Sequence, residues 1–302
     1  MKKKPRRLLL PSLICVLVIV AALFAAVLFS WDRIEPVVTY WEQKIQETEP
    51  GNEVRQEEPA SEAEADMPDM TENESEEQPA EIPGAIPEKT IYTFLQGPKA
   101  WKSKRAWSGE WCNMDLADSL FSIFGCGLCD LANIYSTLTA YECSPIDMYN
   151  YAIEISTYSP GGGYGAIDWS QMHQVLRKTG FTSRLCKKDA TYEAFRDRIR
   201  SNLTAIVLVS SYNDDTYWQD TPGHYVNIWN YDEATDTIFL ADSGDPNHNR
   251  KRVPLKYIYD ALASASPHQY LLVTAYDEEK NTWRYTGIHE KWRKPSYYTA
   301  KS

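Results

Sequence analysis

The chain predicts an α+β domain, with N-terminal helices packed on an antiparallel sheet. A single transmembrane helix and a disordered acidic linker precede it. Three observations lead there: an uncharged apolar run near the N-terminus, a Glu- and Pro-rich stretch after it, and a downstream periodicity that changes from helical to strand-like.

The apolar run extends from Leu8 to Phe29, about 22 residues, where roughly 20 suffice to cross a hydrocarbon core as a helix. A cleaved signal would carry a shorter apolar region and a small-residue cleavage site, so a signal-anchor is the expectation. Lys2, Lys3, Lys4, Arg6 and Arg7 lie on one side of it only, which keeps residues 1–7 cytoplasmic and exports the rest. Cys15 is then a membrane-buried thiol.

The formal net charge of −11 is unevenly distributed. Between Glu42 and Thr90 about sixteen acidic residues face about three basic ones, with six prolines and few large apolar side chains. Such a stretch buries too little surface to offset chain entropy, and residues 30–90 are expected to be a disordered linker. From Ile91 to Ser302 the charge is about −2, and no outward basic cluster marks a nucleic-acid surface.

Within 91–302, Leu128, Leu131, Ala132, Tyr135 and Leu138 recur at helical spacing. Ser144-Pro145 opens a second helix to about Ile155, and Asp168 caps a third that Gly180 stops after Lys178. Thr191–Ser201 is a fourth, amphipathic through Phe195 and Ile199. The period then changes. Thr204–Ser210 reads as a buried strand, and His224–Asn230 with Thr237–Ala241 as a hairpin about Asp232–Asp236. Tyr270–Tyr276 and Thr282–Tyr285, separated by Asp277–Asn281, repeat that pattern.

Cys126 stands between Gly125 and Gly127 just before the first helix. A helix N-terminus offers unpaired N–H groups and a positive dipole end that stabilise a thiolate and can receive an oxyanion. His224 opens a strand after Pro222-Gly223, and Asp242 ends the returning strand, which makes them neighbours across an antiparallel ladder. A carboxylate there can orient an imidazole whose other nitrogen meets the thiol. Cys126 is thus the candidate nucleophile, His224 the base and Asp242 the orienting acid. Gly161–Gly165, with Gly162, Gly163 and Tyr164 at its centre, is a candidate substrate rim.

Other chemistries fit less well. Cys112, Cys129, Cys143 and Cys186 allow two disulfides that leave Cys126 free. Cys126 and Cys129 match a bare Cys-x-x-Cys pattern without a thioredoxin-like strand–helix order. Asp242–Asn249 has oxygen ligands without calcium-loop spacing. No metal or cofactor is expected.

Gly125-Cys-Gly-Leu-Cys-Asp-Leu-Ala132 resembles the Cys-Gly-Pro-Thr/Ala-x-Leu-Ala signature of C39-like peptidases, in the papain-like cysteine peptidase superfamily. Gly223-His-Tyr-Val226 and Leu240-Ala-Asp242 are similar to that family's histidine and acidic motifs, in the same order. The resemblance implies a papain-like fold and the same roles for Cys126, His224 and Asp242. Leu128 replaces the usual Pro, and Leu120 stands about where the family carries an oxyanion Gln. Ser119 and Asn113 are the substitute donors considered, beside helix N–H groups. The expected function is a membrane-anchored extracytoplasmic cysteine peptidase or amidase acting on a peptide or cell-envelope amide. The alternatives are a transpeptidase- or transglutaminase-like acyltransferase and a binding or scaffold module without turnover.

Overall fold

In a computed structural model the described residues are 85–116, 118–162 and 164–301. The basic tip, the apolar run at 8–29 and the linker as far as residue 84 lie outside them. Among the described residues no helix is long and apolar enough to cross a membrane.

The folded part begins before Ile91. Ile86 N–H donates to Asn230 Oδ1 at 3.0 Å, and Glu88 pairs with Arg252 at 2.7 Å, so the last residues assigned to linker already pack on the domain. Pro98–Lys102 forms α1. The short strands β1 (Asp115–Leu116) and β2 (Ser119–Leu120) then lead into α2 (Phe121–Phe124). Helices α3 (Cys126–Leu138), α4 (Pro145–Ile155) and α5 (Trp169–Lys178) follow. Next come β3 (Thr179–Cys186), α6 (Tyr192–Arg200), β4 (Thr204–Val209) and β5 (His224–Asp232). β6 (Thr237–Ala241), β7 (Lys251–Pro254), α7 (Leu255–Ala261) and β8 (Tyr270–Asn281) complete the order.

The helix starts follow the caps read in the sequence. Ser144 and Asp147 form a reciprocal capping box on α4, and Asp168 and Gln171 do the same on α5. α3 is different. Every residue from Cys126 to Ser136 is buried, so this helix runs through the core and does not lie along its surface.

β3, β8, β4, β5, β6 and β7 form one antiparallel sheet in that spatial order. The alternation of side chains divides its residues between two cores. Ile206, Leu208, Tyr225 and Trp229 pack in the core that holds α3, whereas Val207, Val209, Val226 and Ile228 share the other with Phe195 of α6 and Ile258 of α7. β4 is therefore buried on both faces, as its unbroken apolar run predicts. This is the α+β arrangement expected, with helices packed on a six-stranded antiparallel sheet.

Two expectations are corrected. The second hairpin does not form: β8 is one strand of 12 residues against β3, and Thr282–Tyr285 is not a strand. Asp277–Lys280 does carry turn chemistry, with Glu279 N–H donating to Asp277 Oδ1 at 3.0 Å, but it is a bulge. The ladder pairs Phe181 with Tyr276 and then Thr179 with Asn281, so the strand resumes on its original partner. Beyond it, Trp283 stacks on Tyr151 at 4.2 Å, which draws the chain onto a helix. The possible disulfides are also absent: Cys112, Cys126, Cys129, Cys143 and Cys186 are all free and buried.

Gly180 makes the bulge possible. Its φ of +87° is left-handed, and a Cβ there would lie 2.5 Å from the Asp277 carbonyl oxygen. Gly180→Ala is expected to lower stability by about 2 kcal/mol or more and the melting temperature by about 4–8 °C in thermal denaturation. Gly161→Ala, where the added carbon meets nothing within 4 Å, should leave it unchanged.

Candidate active site

Cys126 is the first residue of α3, and Gly125 before it provides no side-chain cap. The N–H groups of that first turn have no helical partners and remain available to an anion. Burial alone would push the Cys126 thiol up. A hydrogen bond from His224 and its charge, with the N–H groups of Tyr225 and Gly127, outweigh burial and hold the thiol below its usual value of 9.0.

His224 opens β5 opposite Val209. Its Nε2 lies 2.8 Å from Asp242 Oδ1, which leaves Nδ1 as the ring nitrogen for the thiol. Burial would lower the imidazole, but the Asp242 charge and hydrogen bond and the Cys126 contact raise it well above 6.5. The ladder between β5 and β6 ends at Asn227 opposite Ala241. Asp242, one step on, falls beside Val226 and reaches His224 along the diagonal, not directly across as the sequence suggests.

Asp242 is 1 % exposed. Gly244 and Asp245 N–H groups donate to Oδ1 at 2.9 and 3.1 Å, and Trp218 Nε1 donates to Oδ2 at 3.0 Å. Burial opposes the charge, but His224 first, then His248 and Trp218, hold the carboxyl well below the usual carboxylate range. His248 Nδ1 stands 3.6 Å from Oδ2, within ion-pair range and too far for a hydrogen bond. Its ring lies against Tyr217 at 4.3 Å, and Asp242 raises this imidazole too.

Gln96 joins the two halves of the site. Its Nε2 donates to the Ser122 carbonyl at 2.8 Å, four residues before the cysteine, and its Oε1 accepts from Ser243 Oγ at 2.7 Å, one residue after Asp242. Trp218, His248 and Gln96 carry no motif that assigns them in the sequence. A glutamine ahead of the cysteine is the one available signal, and Gln96 lies far outside the expected spacing of about six residues.

The remaining candidates fall nearby or outside. Asn113 is exposed at the end of a short turn and Ser119 is half-buried in β2; among the described residues neither hydrogen-bonds Cys126 or His224. Gly161 and Tyr164 exchange backbone hydrogen bonds of 3.0 Å, and Gly162 N–H meets Asp118 Oδ2 at 3.3 Å. Gly163 lies outside the described residues. A Cβ on Gly165 would strike the Phe124 ring at 2.4 Å, so this rim packs against the residues leading into Cys126.

One turn along α3, Asp130 is wholly buried and its Oδ2 has no hydrogen-bond partner. Burial, then the charge on Cys126, push this carboxyl well above its usual 3.8. Its Oδ1 and the Asn227 amide oxygen stand 3.2 Å apart, a contact that needs either a carboxyl proton or an inverted Asn227 amide. The folded state then holds a proton that the unfolded chain releases above about pH 4, so Asp130 lowers stability at neutral pH and ceases to do so as pH falls below that value. Asp130→Asn is expected to stabilise the domain at pH 7 by about 1–3 kcal/mol, with the gain vanishing by about pH 3 in denaturant titrations.

Three comparisons bear on this geometry. The family model described as phytochelatin synthase matches residues 164–269, about a third of the chain. That span contains His224 and Asp242. A solved structure described as a C39-like peptidase from Bacillus anthracis is 11 % identical with a TM-score of 0.33, over 51 % of this chain and 90 % of that one. No curated protein matches the sequence. Over residues 164–269 the chain matches the phytochelatin synthase family, of the papain-like cysteine peptidase clan.

Proposed function

We propose that the domain is a papain-like cysteine enzyme that transfers an acyl group from an amide through a thioester on Cys126. The observation that carries this reading is an imidazole, 12 % exposed, that is held by Asp242 on one nitrogen and lowers a thiol at a helix N-terminus. His224 takes the thiol proton, the thiolate adds to the carbonyl, and first-turn N–H groups of α3 receive the oxyanion. His224 then gives its proton to the departing amine. Water or a second amine breaks the thioester, and Asp242 stays ionised throughout. Gln96 is the side-chain amide that best fits the oxyanion role, because it already bonds the segment before Cys126 and the residue after Asp242.

The fold supports a papain-like assignment, and the matched family, named as a synthase, supports an amine acceptor beside water. The substrate is a peptide or cell-envelope amide. The apolar run at 8–29 anchors the chain with its basic tip in the cytoplasm and its domain outside, at the end of the acidic linker.

A lowered thiol and a raised imidazole keep the thiolate–imidazolium pair formed at pH values where an ordinary thiol is protonated. At about pH 6.5 iodoacetamide should alkylate Cys126 at least about tenfold faster than Cys186, by peptide mass mapping. His224→Ala should remove that advantage, and Asp242→Ala should lower turnover by about 10²-fold or more. Equal rates at the two cysteines, unchanged in His224→Ala, would leave a binding or scaffold module.

A further inference from the structure

A cavity of about 550 Å³ opens beside His224, between the Tyr217–Gly223 loop and the loop from Asp242 to His248. His224 lines it and Cys126 does not, so it leads away from the thiol on the imidazole side. Acyl transfer gives that side a meaning. The atom that receives the imidazole's proton is the leaving nitrogen, and the atom that later surrenders one is the incoming acceptor. A substrate chain running from the thioester carbon past His224 into this cavity is therefore the amine half.

The walls select by charge. Asp220, Asp242 and Asp245 line the cavity together with His224 and His248, the two imidazoles that face Asp242, and no lysine or arginine is among the lining residues. Arg105 reaches the same loop but donates to the Pro246 carbonyl at 3.0 Å. Asp242 is occupied by His224 and Trp218. Asp220 is not, and Asp245 is only in part. Asp220, exposed and held at a left-handed φ of 49°, makes no hydrogen bond or ion pair among the described residues. Asp245 takes Asn247 N–H at 2.7 Å on Oδ1, while its Oδ2 lies 3.9 Å from His248 Nε2, within ion-pair range and beyond hydrogen-bond reach. Tyr217, half-buried, lines the cavity with its ring against His248 at 4.3 Å, and Trp218 stands edge to face with it at 4.7 Å. Aromatic faces attract cations. Carboxylates here repel an anion and attract a cation.

We propose that this cavity is the amine-side subsite, and that it takes leaving groups and acyl acceptors bearing a positive charge, lysine-like amines, in preference to neutral or acidic ones. The inference rests on the acyl-transfer reading of Cys126 and extends it to a substrate class.

The test uses the full chain and p-nitrophenyl acetate. Attack by Cys126 Sγ forms the acetyl thioester and releases p-nitrophenolate, seen as a burst. Lysinamide, norleucinamide and glutamic acid α-amide then compete with water. The attacking nitrogen bonds the acetyl carbon as the C–S bond breaks, and its proton passes through His224 to the thiolate. N-acetyl products are quantified by mass spectrometry, as ratios within each variant so that the amount of active enzyme cancels. Lysinamide should capture acetyl at least about tenfold better than norleucinamide, with glutamic acid α-amide poorest. Asp220→Asn with Asp245→Asn should cut the lysinamide advantage at least about threefold. A burst with a lysinamide-to-norleucinamide ratio near one, a ratio unchanged in the double variant, or no amide product from any acceptor overturns the proposal and leaves the nucleophile standing. Absence of a burst removes the acyl-transfer reading itself, and the subsite with it.

Discussion

Removing a carboxylate from water costs several kcal/mol unless other donors replace the lost hydration. Asp242 collects them from four directions: His224, Trp218, and the N–H groups of Gly244 and Asp245. The chain around it is arranged to deliver those donors. β5 and β6 meet so that His224 and Asp242 lie diagonally on one face, and the turn after Asp242 folds its own backbone onto the side chain. A Cβ on Gly244 would stand 3.0 Å from His224 Nε2, which shows how closely that turn approaches the pair. Asn249 Oδ1 accepts the Asp242 N–H at 3.2 Å, and its Nδ2 donates to the Thr93 carbonyl at 2.9 Å. The Asp242 backbone, through Asn249, thereby ties the segment at Thr93 to the strand end that carries the carboxylate.

Local signals announced the two strands and the helix that present Cys126, His224 and Asp242, because each depends on nearby residues: glycines around Cys126, a Pro-Gly before His224, a turn between the hairpin strands. The diagonal placement of Asp242 depends on register, which local pattern does not specify to one residue. Trp218, His248 and Gln96 reach the site from loops and an extended segment whose positions are decided by packing over long sequence separations. The same holds for β8. Its turn residues read correctly, but whether a turn reverses a strand or bulges it depends on the partner, and Gly180 on β3 permits the bulge. The anchor and linker stand on composition alone.

Composition does not explain which cysteine is reactive. Five free thiols are buried in the domain. Burial pushes Cys112 up to about 11 and Cys143 well above the ordinary range. Cys129 is one turn from Cys126 on the same helix, yet burial drives it up as well. The helix dipole therefore does not suffice, since Cys129 shares the helix and is not activated. What separates the two among the described residues is His224, whose imidazole lowers Cys126 and is itself raised by Asp242. A dithiol mechanism needs the second cysteine to be an accessible thiolate at some point in the cycle. Cys129 is wholly buried and burial raises its thiol, so on the proposed reading the nucleophile is Cys126 alone, and Asp242 is the carboxylate that charges its base.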